Sequence, residues 1–148
     1  MQPVKSEAAD DRWLGKTARY EGWPLALRVR PYVLTLENQR KFPQLVVITL
    51  KLAKVRADGM PEPDYNDTLA DLDAELIDLF EANKVGLTVL VETFGGRRVF
   101  YSFTQVTAPV QALVAEFQRR NPSHAISVQV KPDPNWGFIA NYRKQFPW

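Results

Sequence analysis

The chain has no cysteine among its 148 residues and only one histidine. Without cysteine there can be no disulfide, no thiolate nucleophile and no cysteine-bound zinc. His124 follows Asn121-Pro122-Ser123 in a turn between a predicted helix and a predicted strand. A catalytic triad or a metal centre needs partner residues that no nearby motif supplies, so we interpret His124 as an exposed bystander. We therefore predict no metal site and no cofactor.

Long apolar runs and common catalytic motifs are missing as well. The longest strongly apolar run, LVVITLKL at 45–52, is far shorter than the roughly 20 residues that cross a bilayer. The first residues contain acidic side chains and no apolar core of the kind found in signal peptides. GxSxG, GxxxxGK[ST] and GxGxxG are absent. These absences predict a cytoplasmic protein that does not enter a membrane, is not an enzyme and has no catalytic residues.

Charge of one sign is not in excess. The chain carries 19 basic and 17 acidic residues, a formal net charge of +2, whereas nucleic-acid binding usually needs a clustered basic footprint. A composition of 45% hydrophobic and 24% charged residues is typical of a globular protein. We predict a flexible tail over residues 1–12 and a single α+β domain over residues 13–148.

The hydrophobic periodicity predicts alternating strands and helices. Two stretches, 13–20 and 24–30, form an N-terminal hairpin, and the strand 45–52 is β-branched and nearly continuous. A helix from about Thr68 to Asn83, with Asp67 as its N-cap, has a buried leucine stripe. The remaining elements are a hairpin through Gly95-Gly96 (85–94 and 97–104), a helix over 108–120, a strand from Ile126 and a short aromatic segment at 134–148.

From residue 45 onward the order is β-α-β-β-α-β. This order predicts an α+β fold with a ferredoxin-like core, in which an antiparallel sheet carries two helices on one face. The N-terminal β-hairpin would extend this sheet or pack on its edge, and the aromatic C-terminal segment would pack onto the body.

The Gly95-Gly96 hairpin divides its residues between two faces. One face carries Leu87, Val89, Val91 and Phe100 and suits packing beneath the helices. The other carries Leu90, Glu92, Val99, Tyr101 and Phe103, which is unusually apolar for a solvated surface. Two interpretations stay open. Either the N-terminal hairpin or the aromatic C-terminus covers this second face, or it is an open platform for a ligand, a peptide or an RNA base.

The string RRVFYSF at 97–103 is similar to the RNP1 pattern of RNA-recognition modules. The glycine of that pattern is missing, and the first strand offers no aromatic residue. We keep RNA binding only as an alternative, because the nearly balanced charge also argues against it.

Three groups of residues are candidate binding sites. The first is an acidic helix face, Asp71, Glu75 and Asp78, whose simplest interpretation is a solvated surface. The second is the pair of aromatic residues Tyr101 and Phe103. The third is a pocket between the sheet face and the C-terminus, formed by Trp23, Tyr101 and Trp136. Arg28 and Arg30 would serve an anionic ligand if they line a groove with Tyr101.

Both ends of the chain resemble a bacterial family of unknown function, the domain family numbered 695. The C-terminal residues Asp133-Pro134-Asn135-Trp136, Phe138, Tyr142 and Phe146-Pro147 resemble its closing pattern, although a Tyr is expected where Phe146 stands. The opening residues Trp13, Tyr20, Gly22 and Pro24, before the strand LALRVR, resemble its start. The resemblance covers about residues 13–147 and implies an α+β sandwich without an assigned activity. At the level of fold, the layout is similar to the inhibitor protein called regulator of ribonuclease E activity B.

Our first hypothesis is a non-catalytic intracellular protein that binds and modulates another protein, as an inhibitor, adaptor or immunity protein would. The first alternative is a small-ligand module that uses the aromatic sheet face, and the second is an RNA-binding domain. The sequence also leaves a homodimer open.

Overall fold

The computed structural model describes residues 12–148, so that the predicted tail over residues 1–12 lies outside the described residues except for Arg12. Six strands are present in this part: β1 Leu14–Tyr20, β2 Trp23–Val29, β3 Gln44–Lys51, β4 Gly86–Phe94, β5 Arg97–Thr104 and β6 Ile126–Pro132. The α-helices are α1 Leu36–Lys41, α2 Pro63–Asp67, α3 Ala70–Ala82, α4 Val110–Arg120 and α5 Gly137–Gln145, and a 3₁₀ turn spans Pro31–Val33.

All six strands form one antiparallel sheet in the order β1-β2-β4-β5-β3-β6. The predicted mixture of helices and antiparallel strands is thus confirmed. Both predicted hairpins form, and the N-terminal one extends the sheet by pairing β2 with β4. The β4–β5 turn needs glycine because Gly95 and Gly96 have φ of 59° and 80°, which L-residues with side chains rarely adopt.

Helices α3 and α4 pack on one face of the sheet. Leu72, Leu76, Leu79 and Phe80 of α3 recur at helical spacing, and all four are buried. Together with residues of α4 they meet the buried side chains of the central strands. The core on this side consists of Val46, Ile48, Leu50, Leu52, Leu69, Leu72, Leu76, Leu79, Phe80, Val91, Phe100, Val110, Val114 and Phe117.

The predicted helix from about Thr68 to Asn83 is α3, Ala70–Ala82, but its predicted N-cap is wrong. Proline fits the first turn of a helix, and Pro63 opens the short helix α2 ahead of the predicted boundary. Asp67 ends α2 and does not cap α3. The N-cap of α3 is Leu69, which makes no side-chain capping hydrogen bond.

A β-bulge in β4 changes which residues share a face. The register with β5 shifts between Thr88 and Leu90, so that Leu87 stands opposite Phe103 while Val91 stands opposite Phe100. Phe103 and Phe100 point to opposite faces because they are an odd number of residues apart on one strand. The prediction that Leu87, Val89 and Val91 share the helix-covered face is therefore wrong, since the bulge interrupts the alternation.

The second face of the sheet is covered by the C-terminal segment. Trp136 stacks on Phe103 with ring centroids 4.2 Å apart, and Phe138 stacks on Tyr101 at 4.6 Å. This confirms the interpretation in which the aromatic C-terminus covers the apolar face. The second core comprises Leu25, Leu27, Val29, Val33, Leu45, Leu87, Val89, Leu90, Phe103, Trp136, Ile139 and Tyr142. Across residues 12–148, no helix combines the length and apolar character required of a membrane span.

Candidate functional site

A cleft of about 550 Å³ opens between β2 and α3, on the face of the sheet that α3 and α4 cover. Small side chains leave this space: Ala26 on the strand faces the side of α3 that carries Ala70 and Ala74. The methyl groups of these alanines are too small to fill the space between the strand and the helix. The other lining residues are Leu27, Arg28, Asn66, Asp67, Asp73, Ile77, Val91, Thr93 and Arg98.

Arg98 fixes one part of the cleft. It stands on β5 in alternation with Phe100 and therefore points toward the helices, where it is 7% exposed. Its guanidinium donates to three acceptors from three different elements: Thr93 Oγ1 at 2.9 Å, Asp73 Oδ2 at 2.6 Å and Asn66 Oδ1 at 2.7 Å. Hydrogen bonds between charged groups are short and strong, and a guanidinium held in three directions has little freedom.

Asp73 is the buried carboxylate of the cleft. It occupies the leucine stripe of α3, four residues after Leu69 and three before Leu76, and is 9% exposed. Burial raises the pKa of Asp73, and the neighbouring charges of Arg98 and Arg28 act in the opposite direction. Its Oδ1 atom is buried without a hydrogen-bond partner, so only Oδ2 serves the arginines.

Arg28 enters the cleft from β2. Its side chain is 43% exposed, and Nη2 lies 3.9 Å from Oδ2 of Asp73, too far for a hydrogen bond. Within residues 12–148 the guanidinium of Arg28 donates no hydrogen bond, and the carboxylate oxygen of its ion-pair partner, Asp73, accepts one from Arg98. Desolvation by burial lowers the pKa of Arg28, and the positive charge of Arg98 lowers it further against the attraction of Asp73.

Half of the twelve residues that line the cleft are apolar, and the other six are two arginines, two aspartates, Asn66 and Thr93. Its lining contains no serine, histidine or lysine, and its one hydroxyl, on Thr93, accepts a hydrogen bond from Arg98. Its buried carboxylate is held in an ion pair. Elsewhere in the part of the chain that the structure describes, no three His, Asp or Glu side chains gather as metal ligands would.

The predicted acidic face is divided in the structure. Asp71 and Asp78 are exposed on α3. Glu75 instead contacts Arg120 of α4, which donates from Nε to Glu75 Oε2 at 3.1 Å. Glu75 thus links the two helices, and only Asp71 and Asp78 present unshared carboxylates along this side.

The predicted aromatic sites are not open surfaces. Phe103 is fully buried and Trp136 is 2% exposed, so the prediction that Phe103 is exposed is wrong. The pocket predicted from Trp23, Tyr101 and Trp136 does not form, because each residue lines a different depression. Trp23 is 51% exposed at the β1–β2 turn. Tyr101 lies against Phe138 on the face that α5 covers.

The condition that Arg28 and Arg30 line a groove with Tyr101 is not met. Arg28 stands opposite Val91 and faces α3, whereas Tyr101 faces α5 on the other side of the sheet. Arg30 is buried and donates from Nη1 to Glu81 Oε1 at 3.0 Å and to the Thr88 carbonyl at 3.1 Å. Of the predicted site residues, only Arg28 lines the cleft.

The sequence analysis missed Asp73, Arg98 and Asn66 as a constellation. Two signals could have revealed part of it. Asp73 is a charged residue at a core position of the helical periodicity. Arg98 is a charged residue on the face of β5 that alternation turns toward the helices. A charged residue at a predicted core position needs a partner of opposite charge. Asp73 and Arg98 are such partners for each other.

These features define a class of protein: a single antiparallel sheet with helices on both faces and a charged cleft beside one helix. A family model described as "Family of unknown function (DUF695)" matches residues 11–142. The chain therefore belongs to this family, as its two ends predict. No curated protein and no solved structure matches it.

The residues that carry the family resemblance at the C-terminus fix the C-terminal segment on the second face of the sheet. Asp133 accepts hydrogen bonds from the backbone N–H groups of Gly137 at 2.9 Å and Phe138 at 3.1 Å, which caps the start of α5. Trp136 donates from Nε1 to the Phe42 carbonyl at 2.8 Å. These contacts give the motif a structural role on the side of the sheet opposite the cleft.

Proposed function

We propose that this chain is a non-catalytic protein that binds another protein and modulates it, as an inhibitor, adaptor or immunity protein would. One observation carries the proposal: the guanidinium of Arg28 stands in an accessible cleft without a hydrogen-bond acceptor, beside an Arg98–Asp73 pair that is already fixed. Recognition benefits from charged groups that are positioned before the partner arrives.

The exposed acids of α3 extend this surface. Asp71 and Asp78 follow the cleft residues Ala70 and Ile77 by one position, which is about 100° around a helix. They are exposed on α3 outside the cleft lining, whose own exposed acid is Asp67. The resulting surface places a cation inside a recess with anions along its edge, a pattern that favours a partner with the opposite arrangement of charges.

The proposal does not extend to RNA or to a ligand on the aromatic face. Both alternatives need free ring faces on β5, and Tyr101 and Phe103 already stack on Phe138 and Trp136. The near-balanced charge of the whole chain also argues against RNA, since nucleic-acid binding usually draws on an excess of basic residues.

The finer fold class is part of the proposal. The four strands from β3 onward lie in the order β6-β3-β5-β4, with α3 and α4 in the two connections. This supports a ferredoxin-like core and, with it, the fold-level likeness to regulator of ribonuclease E activity B. A bacterial, cytoplasmic setting stays a prediction of the sequence, and a homodimer remains open.

Affinity capture followed by cross-linking tests the proposal. The chain is immobilised on a resin and incubated with lysate of its source organism. The variants Arg28→Gln and Asp71→Asn/Asp78→Asn are compared with two controls on α1, Arg40→Gln and Glu37→Gln. We expect a stoichiometric partner that is cross-linked beside α3 and is weakened by the first two variants but not by the controls.

Two results would count against the proposal. One is the recovery of no stoichiometric partner by the wild-type chain, and the other is turnover of a small substrate that the purified chain carries out alone.

A further inference from the structure

We infer that the cleft binds a single side-chain carboxylate, from an Asp or Glu of the partner, on the guanidinium of Arg28. The inference rests on the proposed function and names the chemical group that the partner inserts. It follows from which hydrogen-bonding groups of the cleft are used and which are free.

The three buried or half-buried acceptors of the cleft are engaged with Arg98, and the carboxylate of Asp67 lies at its exposed edge. Thr93 Oγ1, Asp73 Oδ2 and Asn66 Oδ1 each receive one of its N–H groups. The other carboxylate oxygen, Asp73 Oδ1, is buried beyond the reach of a ligand. A ligand that enters the cleft therefore finds few acceptors to which it could donate.

Donors, in contrast, are in surplus. Arg28 keeps the donors of its guanidinium, and the side-chain amide of Asn66 keeps its N–H₂ group because its oxygen accepts from Arg98. Within residues 12–148 neither set has an acceptor. A group that pairs with Arg28 here is an acceptor-only group, and a planar carboxylate matches the fork of a guanidinium with two parallel hydrogen bonds.

The charges of the cleft point the same way. Arg28 and Arg98 share one buried carboxylate, that of Asp73, so Arg28 has no buried carboxylate of its own. Asp67 also lines the cleft, but it is exposed, and water and salt screen its charge. An entering carboxylate removes the repulsion between the two arginines.

The neighbouring acids limit the partner to one carboxylate at this point. Asp67 at the cleft, with Asp71 and Asp78 further around α3, would repel an acidic run, and these acids suit basic residues that flank the inserted group. Ala26, Ala70 and Ala74 keep the walls apolar and low, which fits the aliphatic stem of a Glu side chain. We therefore commit to a lone acidic side chain in a basic context.

Nuclear magnetic resonance with minimal probes tests this assignment. The probes are glutamate and glutamine, each capped by N-acetyl and N-methylamide groups, together with N-acetylalanine and inorganic phosphate. We expect capped glutamate to shift the Arg28 Nε–H and Asn66 side-chain signals saturably, with a dissociation constant on the order of 10 mM. Capped glutamine should leave them unchanged.

Variants make the assignment specific. Arg28→Gln should abolish the response, Arg28→Lys should weaken it by losing the fork, and Arg40→Gln should retain it. Well-dispersed backbone spectra establish that each variant is folded. Equal shifts with capped glutamine, a stronger response to phosphate or N-acetylalanine, or no saturable shift would each overturn the inference. If a captured partner survives Arg28→Gln but is lost with Asp71→Asn/Asp78→Asn, the binding function stands and the carboxylate site fails.

Discussion

The indole of Trp136 lies parallel to the ring of Phe103, with 4.2 Å between centroids and an interplanar angle of 15°. This contact joins the C-terminal segment to the middle of the sheet. Trp136 also donates its Nε1–H to the carbonyl of Phe42, so it satisfies its one polar atom while its rings are buried. The stack closes the face that would otherwise be an open apolar surface.

Trp136→Ala should therefore destabilise the protein by about 3–5 kcal/mol, because it removes a buried aromatic side chain and leaves a cavity over Phe103. Urea denaturation followed by circular dichroism measures the free energy of unfolding. Trp23→Ala is the matched control: its side chain is 51% exposed, and the cost should stay below about 1 kcal/mol. Equal losses in both variants would contradict a closing role for Trp136.

The sequence predicts the order of the elements well because periodicity is a local property. The Gly95-Gly96 hairpin and the α4 stripe of Val110, Val114 and Phe117 follow from spacing alone, whereas the sequence left open whether the aromatic face is covered. Spacing does not predict which residues share a face of β4, since the bulge after Thr88 adds one residue without a local signature in the sequence.

The cleft was harder to predict because it depends on long-range pairing. Arg28, Asp73 and Arg98 come from three elements that meet only when β2 pairs with β4 and α3 crosses above them. The sequence shows Asp73 as one acid among several on a helix. Its burial, and hence the shift in its pKa, arises only from the packed structure.

Breaking the buried pair should be costly. Arg98→Gln leaves the carboxylate of Asp73 in a buried site without its hydrogen-bonded cation, and we expect a loss of about 3–5 kcal/mol in the free energy of unfolding. Glu75→Gln is the control, because it breaks the more exposed pair with Arg120 and should cost less than about 1 kcal/mol. Thermal and urea denaturation measure both, and a small effect at Arg98 would contradict a structural role for the pair.

Asp73 should also make stability depend on pH. Its pKa is raised in the folded protein, so the folded state holds this proton at pH values where the unfolded state has lost it. The contribution of Asp73 to stability is then fully present below the ordinary carboxyl pKa and is lost as pH rises through the raised value. Compared with Asp73→Asn, the wild-type free energy of unfolding should decrease across this window. Urea denaturation of both proteins at a series of acidic pH values tests the sign, and parallel curves would refute it.

Gly86 begins β4 where the chain passes close to β5. A Cβ at this position would overlap the carbonyl oxygen of Phe103 and lie 2.7 Å from Cγ2 of Thr104. Gly86→Ala should therefore cost about 1–3 kcal/mol, since backbone must shift to admit the methyl group. Gly15→Ala is the control, because nothing lies within 4 Å of its added Cβ. Denaturation curves in which the two variants coincide would show that the strands can separate at no cost.

Arg28→Gln should separate binding from stability. A guanidinium that is partly desolvated and has no short acceptor adds little to the folded state, and its lowered pKa has burial as the leading cause. We expect the free energy of unfolding to change by less than about 1 kcal/mol, in contrast to Arg98→Gln, although both variants remove one guanidinium from the same cleft. Urea denaturation gives the comparison. If Arg28→Gln proves as destabilising as Arg98→Gln, then Arg28 stabilises the fold as Arg98 does and is not a residue kept free to bind a partner.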